Sequence, residues 1–103
     1  MYRGTTPTHV FTDLPVSRDD IAEMWIVYAQ NGKEVFCMSE DNAIFINDNS
    51  LEITLGQEKT LALSKGRVDI QMRILLKDGT ALASDVLSVP VGEILKGGKI
   101  ICV

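Results

Sequence analysis

Two dipeptides, Asn31-Gly32 and Asp78-Gly79, most constrain the fold of this chain, because alternating apolar residues flank each of them. Both central residues of a type I′ turn require positive φ, and Asn-Gly and Asp-Gly adopt that conformation at low cost. Each dipeptide therefore predicts a β-hairpin, and the turn sets which residues of the two strands lie opposite each other. The two hairpins together predict a small antiparallel β-sheet protein.

In the second hairpin, a two-residue turn at Asp78-Gly79 places Leu76 opposite Ala81 and Ile70 opposite Leu87. One face is then apolar and the other mostly polar, which is typical of an antiparallel sheet with one face in the core. Asp85 breaks the pattern, because this register puts it on the apolar face. We expect a β-bulge there, with the carboxylate bonded to backbone N–H groups or turned outward; an inward acid would otherwise mark a site. The predicted core face carries Val68, Ile70, Met72, Ile74, Leu76, Ala81, Ala83, Leu87 and Val89.

The first hairpin is apolar on both faces when it is paired around Asn31-Gly32 in the same way. A single core accounts for only one of these faces, so we expect a loop or another protein chain to cover the other. One face carries Met24, Ile26, Tyr28, Val35 and Cys37. The opposite face is the candidate interface, for which we expect self-association as a dimer or a ring; it consists of Trp25, Val27, Phe36 and Met38.

The remaining segments add further short strands, expected at residues 8–14, 43–46 and 51–55, and short helical turns near residues 17–21, 56–61 and 92–95. About seven short strands in 103 residues predict one all-β domain, a two-sheet antiparallel sandwich of immunoglobulin-like type, with a small barrel as the alternative. Trp25 precedes both cysteines, so the Cys-Trp-Cys order of antibody domains is missing. We expect an extended N-terminal arm over residues 1–8, which adds to the contact surface, and a flexible tail over residues 96–103.

Composition argues against several classes of partner and cofactor. The net charge is −4 and the ten Lys and Arg residues are scattered, so nucleic acid is not an expected partner. The chain has neither an apolar signal core at its start nor a run of ~20 apolar residues, so we expect a protein that is not secreted by a signal peptide and has no membrane partner. Cys37 and Cys102 are expected to be small buried hydrophobes in a reducing compartment, and one histidine is too few for a Cys/His metal site.

Candidate catalytic and ligand-binding groups are few. His9, Ser84 and Asp85 contain the residue types of a catalytic triad, but nearly any chain contains those three types. Two oxygen-rich runs, residues 39–42 and 47–49, contain possible Ca²⁺ ligands but lack the EF-hand spacing and glycine, so we interpret them as turns. Gly97-Gly98-Lys99 lacks the P-loop spacing. We therefore expect no catalytic, cofactor or metal site, and a protein that is not an enzyme.

Three segments of the sequence resemble a group of small proteins encoded by phages and prophages of Gram-positive bacteria. They also resemble, more loosely, the N-terminal immunoglobulin-like domain of siphophage baseplate upper proteins, in which a Gly-Thr-Thr-Pro-like start precedes the first strand. The segments are residues 1–11 (MYRGTTPTHVF), 25–33 (WIVYAQNGK) and 78–85 (DGTALASD). The chain ends near the point where such a baseplate domain continues into a helical stalk.

The resemblance implies a virion or virion-assembly protein, and it assigns no functional residue. The expected function is therefore non-enzymatic contact with itself or with other phage structural proteins, in the tail or baseplate region. The expected location is the virion or the cytoplasm of the bacterial host. The alternative is a β-sandwich module that binds glycans or a host surface, in which Trp25 and Tyr28 stack on a sugar.

Overall fold

A computed structural model describes residues 1–101, which fold into eight β-strands and one short α-helix. Cys102 lies outside the described residues, so the expectation for this thiol stays a prediction. Short 3₁₀ turns precede β2 and β4, at Arg18–Asp20 and Glu40–Asn42. The strands and the helix are β1 (Thr8–Phe11), β2 (Ile21–Gln30), β3 (Lys33–Ser39), β4 (Ala43–Asn47), β5 (Ser50–Thr54), α1 (Gln57–Leu61), β6 (Gly66–Leu76), β7 (Ala81–Ala83) and β8 (Leu87–Val91).

The strands form two antiparallel sheets. The three-stranded sheet has the order β1-β5-β4, and the five-stranded sheet has the order β3-β2-β6, with β7 and β8 both paired to β6. The same order, strands B-E-D facing C′-C-F-G, characterises immunoglobulin-like domains. The protein is an immunoglobulin-like β-sandwich. The predicted fold class is confirmed, and the barrel alternative is wrong because the two sheets remain separate over residues 1–101.

The core lies between the two sheets and is built from the alternate residues that face inward. On the five-stranded sheet these residues come from β2, β3, β6 and β8, and on the three-stranded sheet from β5. Tyr28 is fully buried and its ring stacks on Phe36 with 4.6 Å between the centroids. Other buried core residues are Met24, Ile26, Met38, Leu51, Ile53, Leu55, Leu63, Val68, Ile70, Met72, Ile74 and Val91.

The first hairpin turns where the sequence predicts, but its register shifts beyond the turn. Asn31 and Gly32 both have positive φ, of 54° and 77°, as a type I′ turn requires, and Gln30 pairs with Lys33. A β-bulge then inserts Val35 as an extra residue of β3, so Tyr28 pairs with Phe36 instead of Val35. Because a shift of one residue exchanges the faces of a strand, Phe36 and Met38 face the core.

In the second hairpin the prediction of a two-residue turn is wrong. Leu76 accepts a hydrogen bond from the Gly79 N–H at 2.9 Å and its own N–H donates to the Thr80 carbonyl at 2.8 Å, so three residues form the loop. Gly79 has φ 92°, whereas Asp78 is not in the left-handed region. This is a type I turn closed by a glycine bulge. It moves β7 by one residue, so Leu82 packs against the core and Ala81 and Ala83 are exposed.

The register of β8 agrees with the prediction, because the connection after β7 compensates for the shift. Val68 pairs with Val89 and Ile70 with Leu87. In that connection the Ser84 hydroxyl accepts a hydrogen bond from the Met72 N–H at 2.9 Å. Leu87 nevertheless stays exposed at the edge of the sandwich, in contrast to its predicted place in the core.

Residues 1–3 and, near the other end of the described chain, Ile100 bond to the domain. Residues 1–3 run parallel to the end of β8, where the Gly92 N–H donates to the Met1 carbonyl, and the guanidinium of Arg3 donates to the carbonyls of Leu61 and Leu63 at the end of α1. The expected arm is therefore held on the fold through its first three residues. Near the other end, Ile100 exchanges two hydrogen bonds with the side chain of Gln57. The helical turn expected at residues 92–95 is absent, so that prediction is wrong.

Candidate functional site

The candidate site is the solvent side of the five-stranded sheet, which we call the outer face. Its residues alternate along each strand with the buried residues of the core, so the hydrogen-bonding register fixes their neighbours. Across β2 and β6, Trp25 lies opposite Arg73, and Val27 lies opposite Gln71. The outer face includes Glu23, Trp25, Val27 and Ala29 of β2, Cys37 and Ser39 of β3, Arg67, Asp69, Gln71, Arg73 and Leu75 of β6, Ala81 and Ala83 of β7, and Ser88 and Pro90 of β8.

Trp25 is the largest side chain of the outer face and is 45% exposed. Its indole Nε1 donates to Glu23 Oε1 at 3.1 Å. The guanidinium carbon of Arg73 lies 5.5 Å from the centroid of the indole ring, a cation–π distance. The indole N–H is thus satisfied within the domain, and the exposed part of the ring is an apolar surface with a fixed orientation.

A cleft of about 180 Å³ opens beside Trp25. Leu75, which is 41% exposed, and Ala81 contribute apolar walls, and Glu23 and Arg73 lie at its rim. Small-molecule sites usually measure about 300–1,000 Å³, so the volume of this cleft suits one protruding side chain better than a whole ligand.

The structure divides the predicted interface between two faces. Trp25 and Val27 lie on the outer face, as expected. Phe36 and Met38, each 7% exposed, lie in the core, so their assignment to the same face as Trp25 is wrong. The bulge at Val35 is the physical reason, because it reverses the faces of β3 beyond the turn. Cys37 takes their place, and burial, with the nearby Glu34 as a smaller cause, raises the pKa of its thiol.

Sequence reasoning missed Glu23, Arg73, Leu75 and Ala81 as parts of the site. The available signal was Leu75, which the predicted register places with Leu82 and Val86 as the apolar residues of a mostly polar face. Tyr28, which the glycan hypothesis placed beside Trp25, is fully buried on the opposite side of the sheet. Its hydroxyl lies 2.6 Å from His9 Nδ1, and burial raises the pKa of this phenol.

The three residues of the possible catalytic triad, His9, Ser84 and Asp85, do not form one. The Ser84 hydroxyl accepts from the Met72 N–H and donates to the Asp85 carbonyl, and the His9 imidazole bonds Tyr28. Asp85 is exposed. Of the two expected arrangements, its carboxylate is therefore turned outward, away from the core. No hydrogen bond to its carboxylate is found within residues 1–101.

The oxygen-rich runs shape turns. Asn42 Oδ1 accepts the Ser39 N–H at 3.0 Å, Glu40 Oε2 accepts the Met24 N–H at 3.0 Å, and Asn47 Oδ1 accepts the Asn49 N–H at 3.0 Å. Among the described residues, no three His, Cys, Asp or Glu side chains are grouped closely enough to hold a metal ion. Over the same part of the chain, no helix is both long and apolar enough to cross a membrane.

Comparison with known proteins adds one structural neighbour. The V domain of amphioxus IgVJ-C2 aligns with 87% of this chain and 95% of its own length, at 18% sequence identity and a TM-score of 0.36. No family model and no curated protein matches the chain.

Proposed function

We propose that this domain is non-enzymatic and works by protein–protein contact through its outer face. The observation that carries the proposal is the pair of exposed side chains Trp25 and Leu75, which line one apolar cleft on a regular sheet. Tryptophan is enriched among the residues that contribute most to binding energy in protein interfaces. Glu23 and Arg73 restrain the Trp25 ring through a hydrogen bond and a cation–π contact, so less side-chain entropy is lost when this ring binds a partner.

The chemistry of the face supports a protein partner. A protein can fill the cleft beside Trp25 with one side chain and cover Val27 and Ala29 with its own apolar surface. Glu23 and Arg73, at the rim, supply charges that select the orientation of the partner.

We propose that this contact is made in a phage particle, in the tail or baseplate region, and that the partners are structural proteins of the virion. The support is the resemblance of the sequence to small phage and prophage proteins. The test is mass spectrometry of purified particles and assembly intermediates from a host that carries the gene. We expect the chain in fixed proportion to known tail proteins; its absence from both particles and intermediates would contradict this assignment.

Substitution at the face tests the contact itself. Trp25→Glu places an unpaired charge in the proposed interface, so we expect the variant to fold but to be lost from particles. The matched control is Ile46→Glu, at a residue of β4 in the other sheet that is 55% exposed. Equal incorporation of the two variants would show that the outer face is not the contact surface.

A glycan-binding module is the second candidate. Trp25 is flanked by Glu23 and Arg73, and an exposed ring with hydrogen-bonding groups beside it is able to stack on a sugar. Titration with host cell-wall oligosaccharides, followed by NMR, distinguishes the two functions. Saturable shifts centred on the Trp25 indole would favour the glycan function, and their absence at millimolar sugar would count against it.

A further inference from the structure

We propose that a second copy of this chain binds the outer face, with the two sheets face to face around a twofold axis. The axis runs between the two sheets, perpendicular to the strands, at the level of Val27 and Gln71. Each strand of one copy therefore lies over the same strand of the other copy, and the two strands run in opposite directions. This inference rests on the proposed function and names its partner. It follows from the order of charges along β6.

Five residues of β6 point outward in the order Arg67, Asp69, Gln71, Arg73 and Leu75. A twofold axis through Gln71 reverses this order on the second copy. Arg73 of each copy then lies over Asp69 of the other, so the symmetry creates two identical pairs of opposite charge. If the axis passed through any other outward residue of β6, Arg73 would not lie over an acidic residue of β6 in the second copy.

The same twofold axis also brings complementary residues together on either side of Arg73 and Asp69. Arg67 of one copy comes over Leu75 of the other, next to Glu23, which pairs with Leu75 across β2 and β6. On β2, the large Trp25 comes over the small Ala29, and Val27 meets Val27. Opposite charges therefore come together at Arg73 and Asp69, and Arg67 comes next to Glu23, while the central row pairs Val27 and Gln71 with their own copies.

These charged groups are free for such a contact. The ion pairs among the described residues are Arg3 with Glu93 and Lys99 with Glu58, and none of them involves the outer face. Arg67 donates to the hydroxyl and carbonyl of Ser88, which are neutral groups. Arg73 lies over the ring of Trp25, and neither of these ion pairs includes its guanidinium.

The size of the face sets the expected strength. Four strand positions spaced ~4.8 Å apart and nine residues at ~3.3 Å each give a projected area of about 600 Å² per copy. Stable interfaces bury about 800 Å² per partner, so we expect a micromolar dimer that weakens as salt screens the ion pairs.

Charge reversal tests this arrangement by sedimentation velocity and native mass spectrometry. Arg73→Asp puts two acids opposite each other, and Asp69→Arg puts two bases opposite each other. We expect either variant alone to raise the dimer dissociation constant by at least about tenfold. An equimolar mixture of the two variants should form a heterodimer, and the double variant R73D/D69R should dimerise as the wild type does. Lys96→Asp, an exposed reversal outside the face, is the control and should leave dimerisation unchanged.

The outcomes separate this inference from the proposed function. If the wild type dimerises and Trp25→Glu abolishes the dimer while the charge variants have no effect, the antiparallel arrangement is overturned and the contact face stands. If neither kind of substitution affects the dimer, the second copy binds another face and this inference is overturned, and incorporation of Trp25→Glu into particles decides the proposed function. A wild type that is monomeric at millimolar concentration overturns the second copy as partner, and incorporation of Trp25→Glu into particles then decides the proposed function.

Discussion

At the scale of single residues, a polar contact inside an apolar core links the two sheets. His9 of β1 and Tyr28 of β2 lie 2.6 Å apart through Nδ1 and the hydroxyl, and the two rings stack with centroids 5.7 Å apart. Tyr28 is fully buried, so its hydroxyl needs this partner to offset the cost of leaving water. Which of the two atoms donates depends on the His9 tautomer, and burial of the imidazole favours its neutral form.

We predict that the free energy of unfolding falls as pH drops below about 6.5, the pKa of an unfolded histidine. Burial, with the charged N-terminus as a smaller cause, lowers the pKa of His9 in the folded state. The unfolded chain then binds a proton that the folded chain excludes, so stability is complete above this pH and decreases toward the folded pKa. Urea denaturation across pH 5–7.5 measures the effect.

His9→Gln is the control for this prediction, because glutamine does not titrate in this range. The pH dependence between 5 and 6.5 should disappear in the variant. The lowered pKa values of Glu58, Asp78 and Glu93 affect stability at more acidic pH, as those carboxylates protonate. An unchanged slope in His9→Gln would assign the pH dependence to another group.

At the scale of secondary structure elements, the loop of the second hairpin decides the register of β7. Gly79 is in the left-handed region and a Cβ there would meet nothing within 4 Å, so only the backbone conformation disfavours another residue. We predict that Gly79→Ala lowers the free energy of unfolding by about 1 kcal/mol. Gly97→Ala, at an equally open position without positive φ, should change it by less than about 0.5 kcal/mol. Equal costs would contradict the left-handed conformation of Gly79.

The register of β7 also has a direct test in Leu82 and Ala83. Leu82 packs against the core and Ala83 is exposed, which is the reverse of the two-residue turn. We predict that Leu82→Ala costs about 2 kcal/mol, at the lower end for such truncations because Leu82 is only partly buried. Ala83→Leu should be nearly neutral. Thermal denaturation compares the two variants, and a costly Ala83→Leu with a harmless Leu82→Ala would contradict the observed register.

Sequence reasoning therefore located both hairpins, and it erred where the structure inserts one residue. Asp-Gly fits a two-residue type I′ turn and also a three-residue loop made of a type I turn and a glycine bulge. The dipeptide alone therefore does not determine the length of the loop. The bulge at Val35 has no sequence mark, because β3 is apolar on both faces. It arises from tertiary packing, which places Phe36 on the ring of Tyr28. The same one-residue shift removed Phe36 and Met38 from the predicted site.

At the scale of the whole molecule, strand count and spacing were enough to predict the immunoglobulin-like sandwich, because its inward residues follow a period of two. Alternation along β2 placed Trp25 on the face opposite Met24 and Ile26, and the structure shows that the face of Trp25 is the outer one. The companions of Trp25 could not be predicted, because Leu75 and Arg73 reach it through the pairing of β2 with β6, which are distant in sequence. A site that spans strands depends on that long-range register.

Trp25 is the only tryptophan of the chain, so its fluorescence reports directly on the outer face. The central claim is that this face becomes buried when the protein associates. The measurement is the emission maximum of Trp25 and its quenching by acrylamide, followed from dilute to millimolar protein and in purified particles. We predict a shift to shorter wavelength and weaker quenching as association proceeds. An indole that stays as accessible in the assembled state as in the monomer would contradict the account.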